Sequence, residues 1–70
     1  MRYSIGIDIG GTNTKLGLVN SEGEVLKRDR FNTTDFKAFD SYVKALTLRI
    51  RALMEAADGD CAGVGVGAPN

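Results

Sequence analysis

The residues best suited to chemistry lie in one short run, "DIGGTNTK", from Asp8 to Lys15. A carboxylate comes first, then two glycines, two hydroxyls flanking an amide, and an amine. A β-hairpin turn is satisfied by far less, for example Asn-Gly or Asp-Gly. A phosphate chain, in contrast, asks for all of these groups. Gly10 and Gly11 remove side chains where a ligand must approach the backbone, and they permit positive φ. Consecutive N–H groups in such a turn can form an anion-binding nest. Thr12, Asn13 and Thr14 add neutral donors, and Lys15 could add charge. Asp8 closes an apolar run and is placed to hold Mg²⁺ directly or through water, because that ion keeps several waters and takes few carboxylates. The plain alternative is a polar hairpin with nothing bound. The residues alone leave both readings open.

Two other phosphate motifs fail on inspection. Gly6 and Gly11 have the spacing of the P-loop pattern, but Thr12 stands where its lysine is required, and the glycines precede a strand rather than a helix. Gly63, Gly65 and Ala68 match the dinucleotide pattern formally, yet Pro69 follows at once and no acidic residue stands about 20 positions on. These glycines are read as serving close packing. The chain has no His, so it offers neither an imidazole ligand nor a His-based triad. Cys61 reads as a small buried residue with no base to activate it. Arg49 and Arg51 read as solvated helix charges.

The elements that position the Asp8–Lys15 run follow from its flanks. In "YSIGIDI", Tyr3, Ile5, Ile7 and Ile9 share one face and Ser4, Gly6 and Asp8 the other, the period of a strand. Thr14 to Val19 predicts a second strand, with Leu16 and Leu18 opposite Lys15, Gly17 and Val19. "NSEG", Asn20 to Gly23, is a turn cluster. Glu24 to Phe31 predicts a third strand, and its many charges suit an edge. An apolar stripe then runs through Phe36, Phe39, Val43, Leu46, Ile50, Leu53 and Ala57, the mark of an amphipathic helix expected to cover its own sheet. Thr34 or Asp35 is the expected N-terminal cap, Asp40 a later one, and Gly59 the C-terminal cap. "CAGVGVGAP" resembles a strand buried on both faces and stopped by Pro69. The order is β-β-β-α-β. The first three strands form an antiparallel meander, and the helical crossover sets the fourth strand parallel to one of them.

Composition narrows the class. Nine basic and nine acidic residues balance among 70, which argues against nucleic acid or an anionic membrane as partner. No apolar run approaches the roughly 20 residues that span a bilayer. One cysteine and no leader pattern suggest a reducing, cytoplasmic setting. The chain is expected to be one piece of a larger protein, because no second helix follows to cover the sheet. An uncovered fourth strand would present a flat, uncharged edge suited to pairing with a second copy.

With these residues in view, "IGIDIGGTNTKLGLV" resembles the first phosphate motif of the sugar kinase, actin and Hsp70 superfamily. Together with the helix and "GVGVGAP", it resembles more narrowly the ROK family of repressors, open reading frames and kinases, which includes bacterial glucokinases. The resemblance implies a ribonuclease-H-like (actin-like ATPase) α/β fold with strand order 3-2-1-4-5, of which residues 1–70 form the N-terminal part. It implies that Asp8, Gly10, Gly11, Thr12, Asn13 and Lys15 serve the β- and γ-phosphates of ATP, with Mg²⁺ near Asp8 through water. It implies that Gly67, Ala68, Pro69 and Asn70 approach a hexose, although Asn70 stands where the family often has glycine. The implied reaction is transfer of the γ-phosphoryl group to a sugar hydroxyl, in a homo-oligomeric parent protein. The family's catalytic aspartate, its sugar-binding Glu and His, and its zinc-binding cysteines are expected beyond residue 70, so the fragment itself is expected to be inactive. Two further readings stand beside it. One is a sugar-responsive ROK repressor, against which Met1 and Arg2 lead straight into the first strand. The other is an actin-like or Hsp70-like ATPase.

Overall fold

The computed structural model describes residues 2–57 and 59–67. The strands are β1 (Arg2–Ile9), β2 (Asn13–Asn20), β3 (Val25–Asn32) and β4 (Asp60–Gly67). A 3-10 turn, Thr33–Asp35, and one helix, α1 (Phe39–Ala56), join β3 to β4. The sheet order is β3-β2-β1-β4. The β1–β2 and β2–β3 pairs are antiparallel, and β1–β4 is parallel. The expected meander, crossover and parallel fourth strand are therefore all present, with charged β3 at one edge.

Alternation in β1 and β2 decides which face is buried. Tyr3, Ile5, Ile7, Thr14, Leu16, Leu18 and Phe31 are buried on one side of the sheet, and Leu53 of α1 closes over them. Tyr42, Leu46, Ile50 and Ala57 pack around this cluster. No helix among the described residues is long and apolar enough to cross a membrane.

The helix departs from expectation in its first turns. Phe39 is 78% exposed and Val43 is also exposed, while Tyr42 faces the sheet. Phe36 lies before the helix and packs with Phe31 and Tyr42, at ring separations of 5.7 and 5.9 Å. The inward stripe is thus rotated by about one residue at its start, because Tyr42 contributes both a ring to this cluster and a hydroxyl to β2. Arg49 is not a free helix charge either. Its Nη1 donates to both carboxylate oxygens of Asp29 on β3, at 2.8 and 3.0 Å, and its guanidinium lies 4.9 Å from the Phe31 ring centroid.

The caps also differ. Asn32 Oδ1 accepts from Thr34 N at 2.9 Å and so caps the 3-10 turn rather than the helix. The α1 N-terminus follows Ala38 without a side-chain cap, leaving Asp40 in the first turn to face the helix dipole. At the other end Ala57 N donates to the carbonyls of Leu53 and Met54, and Gly59, with φ of 132°, turns the chain toward β4.

The fourth strand was expected to be buried on both faces and is not. Cys61 is half-buried, while Val64 and Val66 are 46% and 61% exposed. Val64 and Val66 stand level with Ile5 and Ile7 on the same side of the sheet, yet of the β4 residues only Cys61 packs against the core cluster.

Candidate phosphate-binding site

The carboxyl end of β1 presents Asp8 on the sheet face opposite α1, where it is exposed. Register places a row across that face: Gly67 of β4, Asp8 of β1, Lys15 of β2 and Arg30 of β3. The next row is Gly65, Gly6, Gly17 and Arg28. A groove of about 810 Å³ lies along the β1, β2 and β3 parts of these rows, lined by Gly6, Asp8, Lys15, Gly17, Arg28 and Arg30 among others. Among the described residues the single ion pair is Arg49–Asp29, so the Asp8 carboxylate has no cationic partner there, Lys15 included.

The loop between β1 and β2 is short. Gly10 N donates to Asn13 O at 2.9 Å. A Cβ on Gly10 would stand 2.8 Å from that same oxygen, so a larger residue would force the turn open. Gly11 faces open space. The expected positive φ is not used here. Among the described residues only Gly23 and Gly59 adopt it. Glycine serves this loop through missing side-chain volume, by contact at Gly10 and by leaving the backbone bare at Gly11.

Thr12 is exposed, Asn13 half-buried and Lys15 exposed on the Asp8 face. Thr14 is a different case. Read from the sequence as a ligand donor, it is 0% exposed on the opposite face, since it alternates with Asn13 and Lys15 in β2. Its Oγ1 lies 2.8 Å from Thr33 Oγ1 and 2.7 Å from the Tyr42 hydroxyl. Thr33 in turn reaches the loop twice. Its N–H donates to Thr12 O at 2.8 Å, and its Oγ1 donates to Gly10 O at 3.0 Å.

These distances fix the direction of every proton in the chain. Each hydroxyl has one hydrogen. Thr33 spends its own on the Gly10 carbonyl, so Thr14 must donate to Thr33, and Tyr42 must donate to Thr14. All buried side-chain polar atoms among the described residues are satisfied. The amides of Gly11 and Thr12, by contrast, meet no acceptor among the described residues. They are the free backbone donors that an anion would need.

Neither Thr33 nor Tyr42 was evident as part of the site. Thr33 sits in a "NTTD" run that reads as helix capping, and Tyr42 lies one place off the apolar stripe. No local pattern joins them to Gly10. The two expected glycine segments do meet, since Asp8 pairs with Gly67 at the carboxyl ends of neighbouring parallel strands. Ala68, Pro69 and Asn70, which the resemblance assigns to the sugar, lie outside the described residues.

Comparison with known proteins bears on the family and the fold. A candidate sugar kinase from Cytophaga hutchinsonii is 37% identical, with a TM-score of 0.74, over 93% of this chain and 21% of its own. A ROK family glucokinase from Streptomyces griseus, solved with glucose and AMPPNP, is 32% identical, with a TM-score of 0.75, over 94% of this chain and 20% of its own. A xylulose kinase from Lactobacillus acidophilus, at 21% identity and a TM-score of 0.81, shares the fold. The comparison with curated proteins returned no match. The fold is the actin-like ATPase fold of sugar kinases, and this chain spans about a fifth of the length of the first two. The ROK family model matches residues 4–70, nearly the whole length, and the chain belongs to the ROK family.

Proposed function

We propose that this chain forms the N-terminal part of an ATP-dependent sugar kinase, and that the whole protein transfers the γ-phosphoryl group of ATP to a hexose such as glucose. The observation that carries this reading is the loop itself. Two unpartnered amides, at Gly11 and Thr12, stand at the carboxyl end of β1 beside an unpaired Asp8. Ligands of open α/β sheets bind outside the carboxyl ends of strands. The glucokinase relative was solved with a hexose and a triphosphate analogue, which supports the same pairing of substrates here.

In this reading Gly11 and Thr12 donate to the β- and γ-phosphates, the Thr12 hydroxyl adds a donor, and Lys15 contributes charge from the Asp8 face. The bare Gly11 backbone lets the phosphate oxygens come within hydrogen-bond distance. Asp8, exposed and unpaired, suits a single carboxylate accepting from waters around Mg²⁺. That ion would neutralise charge on the transferred group, while the chain's own residues supply position, which is most of what phosphoryl transfer requires. Asp8 is not the general base in this scheme, because it stands with the phosphates. Gly67 lies next to Asp8 and would lead the segment through Asn70 toward the sugar.

A coupled assay of the whole protein with MgATP and a panel of hexoses tests this directly. Turnover of one hexose, abolished without ATP, is expected. Absence of phosphorylation across the panel counts against it. The isolated 70-residue chain is expected to be inactive, and turnover of ATP and glucose by the fragment would refute that part.

A further inference from the structure

The phosphate reading leaves open what aims the loop's amides, and the answer lies beneath the loop rather than in it. We propose that Thr33 is a positioning residue for phosphate binding, held in place by Tyr42 through Thr14. The inference rests on the phosphate reading above.

Its basis is the planarity of the peptide bond. No cis peptide occurs among the described residues. In a trans peptide the C=O of one residue and the N–H of the next point in opposite directions. Thr33 Oγ1 fixes the Gly10 carbonyl and so turns the Gly11 N–H away from the core. Thr33 N fixes the Thr12 carbonyl and so turns the Asn13 N–H away from β3. One residue thus sets the Gly10–Gly11 plane, which carries the Gly11 donor, and the Thr12–Asn13 plane, so the Gly11–Thr12 peptide with the second donor is held between two fixed planes. A two-residue hairpin would ordinarily direct the Gly10 carbonyl at Asn13 N–H, closing the loop on itself. Here that carbonyl is drawn off to Thr33.

Thr33 could not do this with a free rotor. Its hydroxyl is oriented because it accepts from Thr14, which accepts from Tyr42, so the rotamer is fixed from the helix outward. Preorganised amides need no reorientation when the anion arrives, which is the condition under which such donors are most effective.

The test uses the whole protein as Thr33→Val, Thr33→Ser and Tyr42→Phe. KM for MgATP and KM for the hexose turned over are measured separately, together with the melting temperature. Loss of one oriented donor corresponds to roughly tenfold in affinity. Thr33→Val is expected to raise KM for MgATP about tenfold while KM for the sugar stays within about twofold. Thr33→Ser, which keeps the hydroxyl, is expected to restore it. Tyr42→Phe is expected to give a smaller rise, about two- to threefold, because the Thr33–Gly10 bond survives. An unchanged KM for MgATP in Thr33→Val overturns the proposal. So does a Thr33→Ser enzyme as impaired as Thr33→Val, or a parallel rise in both KM values with a lowered melting temperature, which would mark general structural support. The amide signals of Gly11 and Thr12 in ¹⁵N-labelled protein are followed during titration with MgADP. Wild-type amides that do not respond overturn the phosphate reading itself and the proposal with it. Wild-type amides that respond, with Thr33→Val responding identically, overturn the proposal alone.

Discussion

The Tyr42 hydroxyl lies 2.7 Å from Thr14 Oγ1, and this contact ties the first helix to the second strand directly under the glycine loop. Thr14 is 0% exposed, yet both its hydrogen-bonding needs are met from within the chain. The pair explains why the helix turns Tyr42 inward and leaves Phe39 in solvent.

Thr14→Val keeps the shape and removes the hydroxyl. Tyr42 then loses its acceptor and Thr33 its donor. The whole protein is expected to lose about 1–3 kcal/mol of stability, because a polar group is left without a partner. Denaturant unfolding measures this, and a loss below about 0.5 kcal/mol would show that Tyr42 finds water instead.

Asp8→Asn removes the carboxylate at the end of β1. Asp8 is exposed and has no ion pair among the described residues, so the fold is expected to be unaffected. Activity is another matter: kcat/KM for ATP is expected to fall by tenfold or more, with a raised requirement for Mg²⁺. A Mg²⁺ titration that overlays the wild-type curve would remove Asp8 from the metal's surroundings.

Gly10→Ala and Gly11→Ala separate folding from binding. An alanine Cβ at Gly10 would stand 2.8 Å from Asn13 O, so that variant is expected to lose about 1–3 kcal/mol through overpacking. At Gly11 there is open space, so stability is expected to change by less than about 0.5 kcal/mol. The added methyl nevertheless stands where a phosphate must approach, and MgATP affinity is expected to fall about tenfold. Melting curves and nucleotide titrations of the two variants distinguish the effects. Equal nucleotide affinity in Gly11→Ala and wild type would argue against close backbone approach.

Tyr3, at the far end of β1, gives an alkaline signature. Burial first, and then the neighbouring Cys61 thiol, raise its phenol above the ordinary value of 10.0. The neutral form is therefore favoured in the folded chain. Its contribution to stability is complete below about pH 10 and is lost as pH rises through the folded value. Tyr3→Phe is expected to flatten the loss of stability above about pH 10, as followed by thermal melts across that range. Superimposable alkaline limbs would exclude Tyr3 as their source.

Much of the fold was readable because its signals are local. Alternation of Tyr3, Ile5 and Ile7 with Ser4, Gly6 and Asp8 marks a strand and both its faces. The charges of β3 mark an edge, and the helical crossover forces a parallel fourth strand. The stripe from Leu46 to Ala57 was readable for the same reason. Its first turns were not, because Phe36 and Phe39 continue the pattern numerically while Phe36 belongs to an aromatic cluster outside the helix. The burial of β4 was misjudged because small apolar residues describe what a strand could tolerate, not what lies over it.

By itself, the sequence determined the three-stranded meander, a fourth strand parallel to one of its members, the place of the glycine loop after β1, and the types of group available to a phosphate. Those depend on period, turn chemistry and composition, which act over a few neighbouring residues. Only the tertiary structure decided that Thr14 meets Thr33 and Tyr42, that Gly10 is needed for contact rather than for positive φ, and that Thr33 sets the direction of the loop's amides. The hydroxyl chain joins residues 10, 14, 33 and 42. Its hydrogen bonds depend on distances that exist only once helix and sheet have packed, so no stretch of sequence carries it.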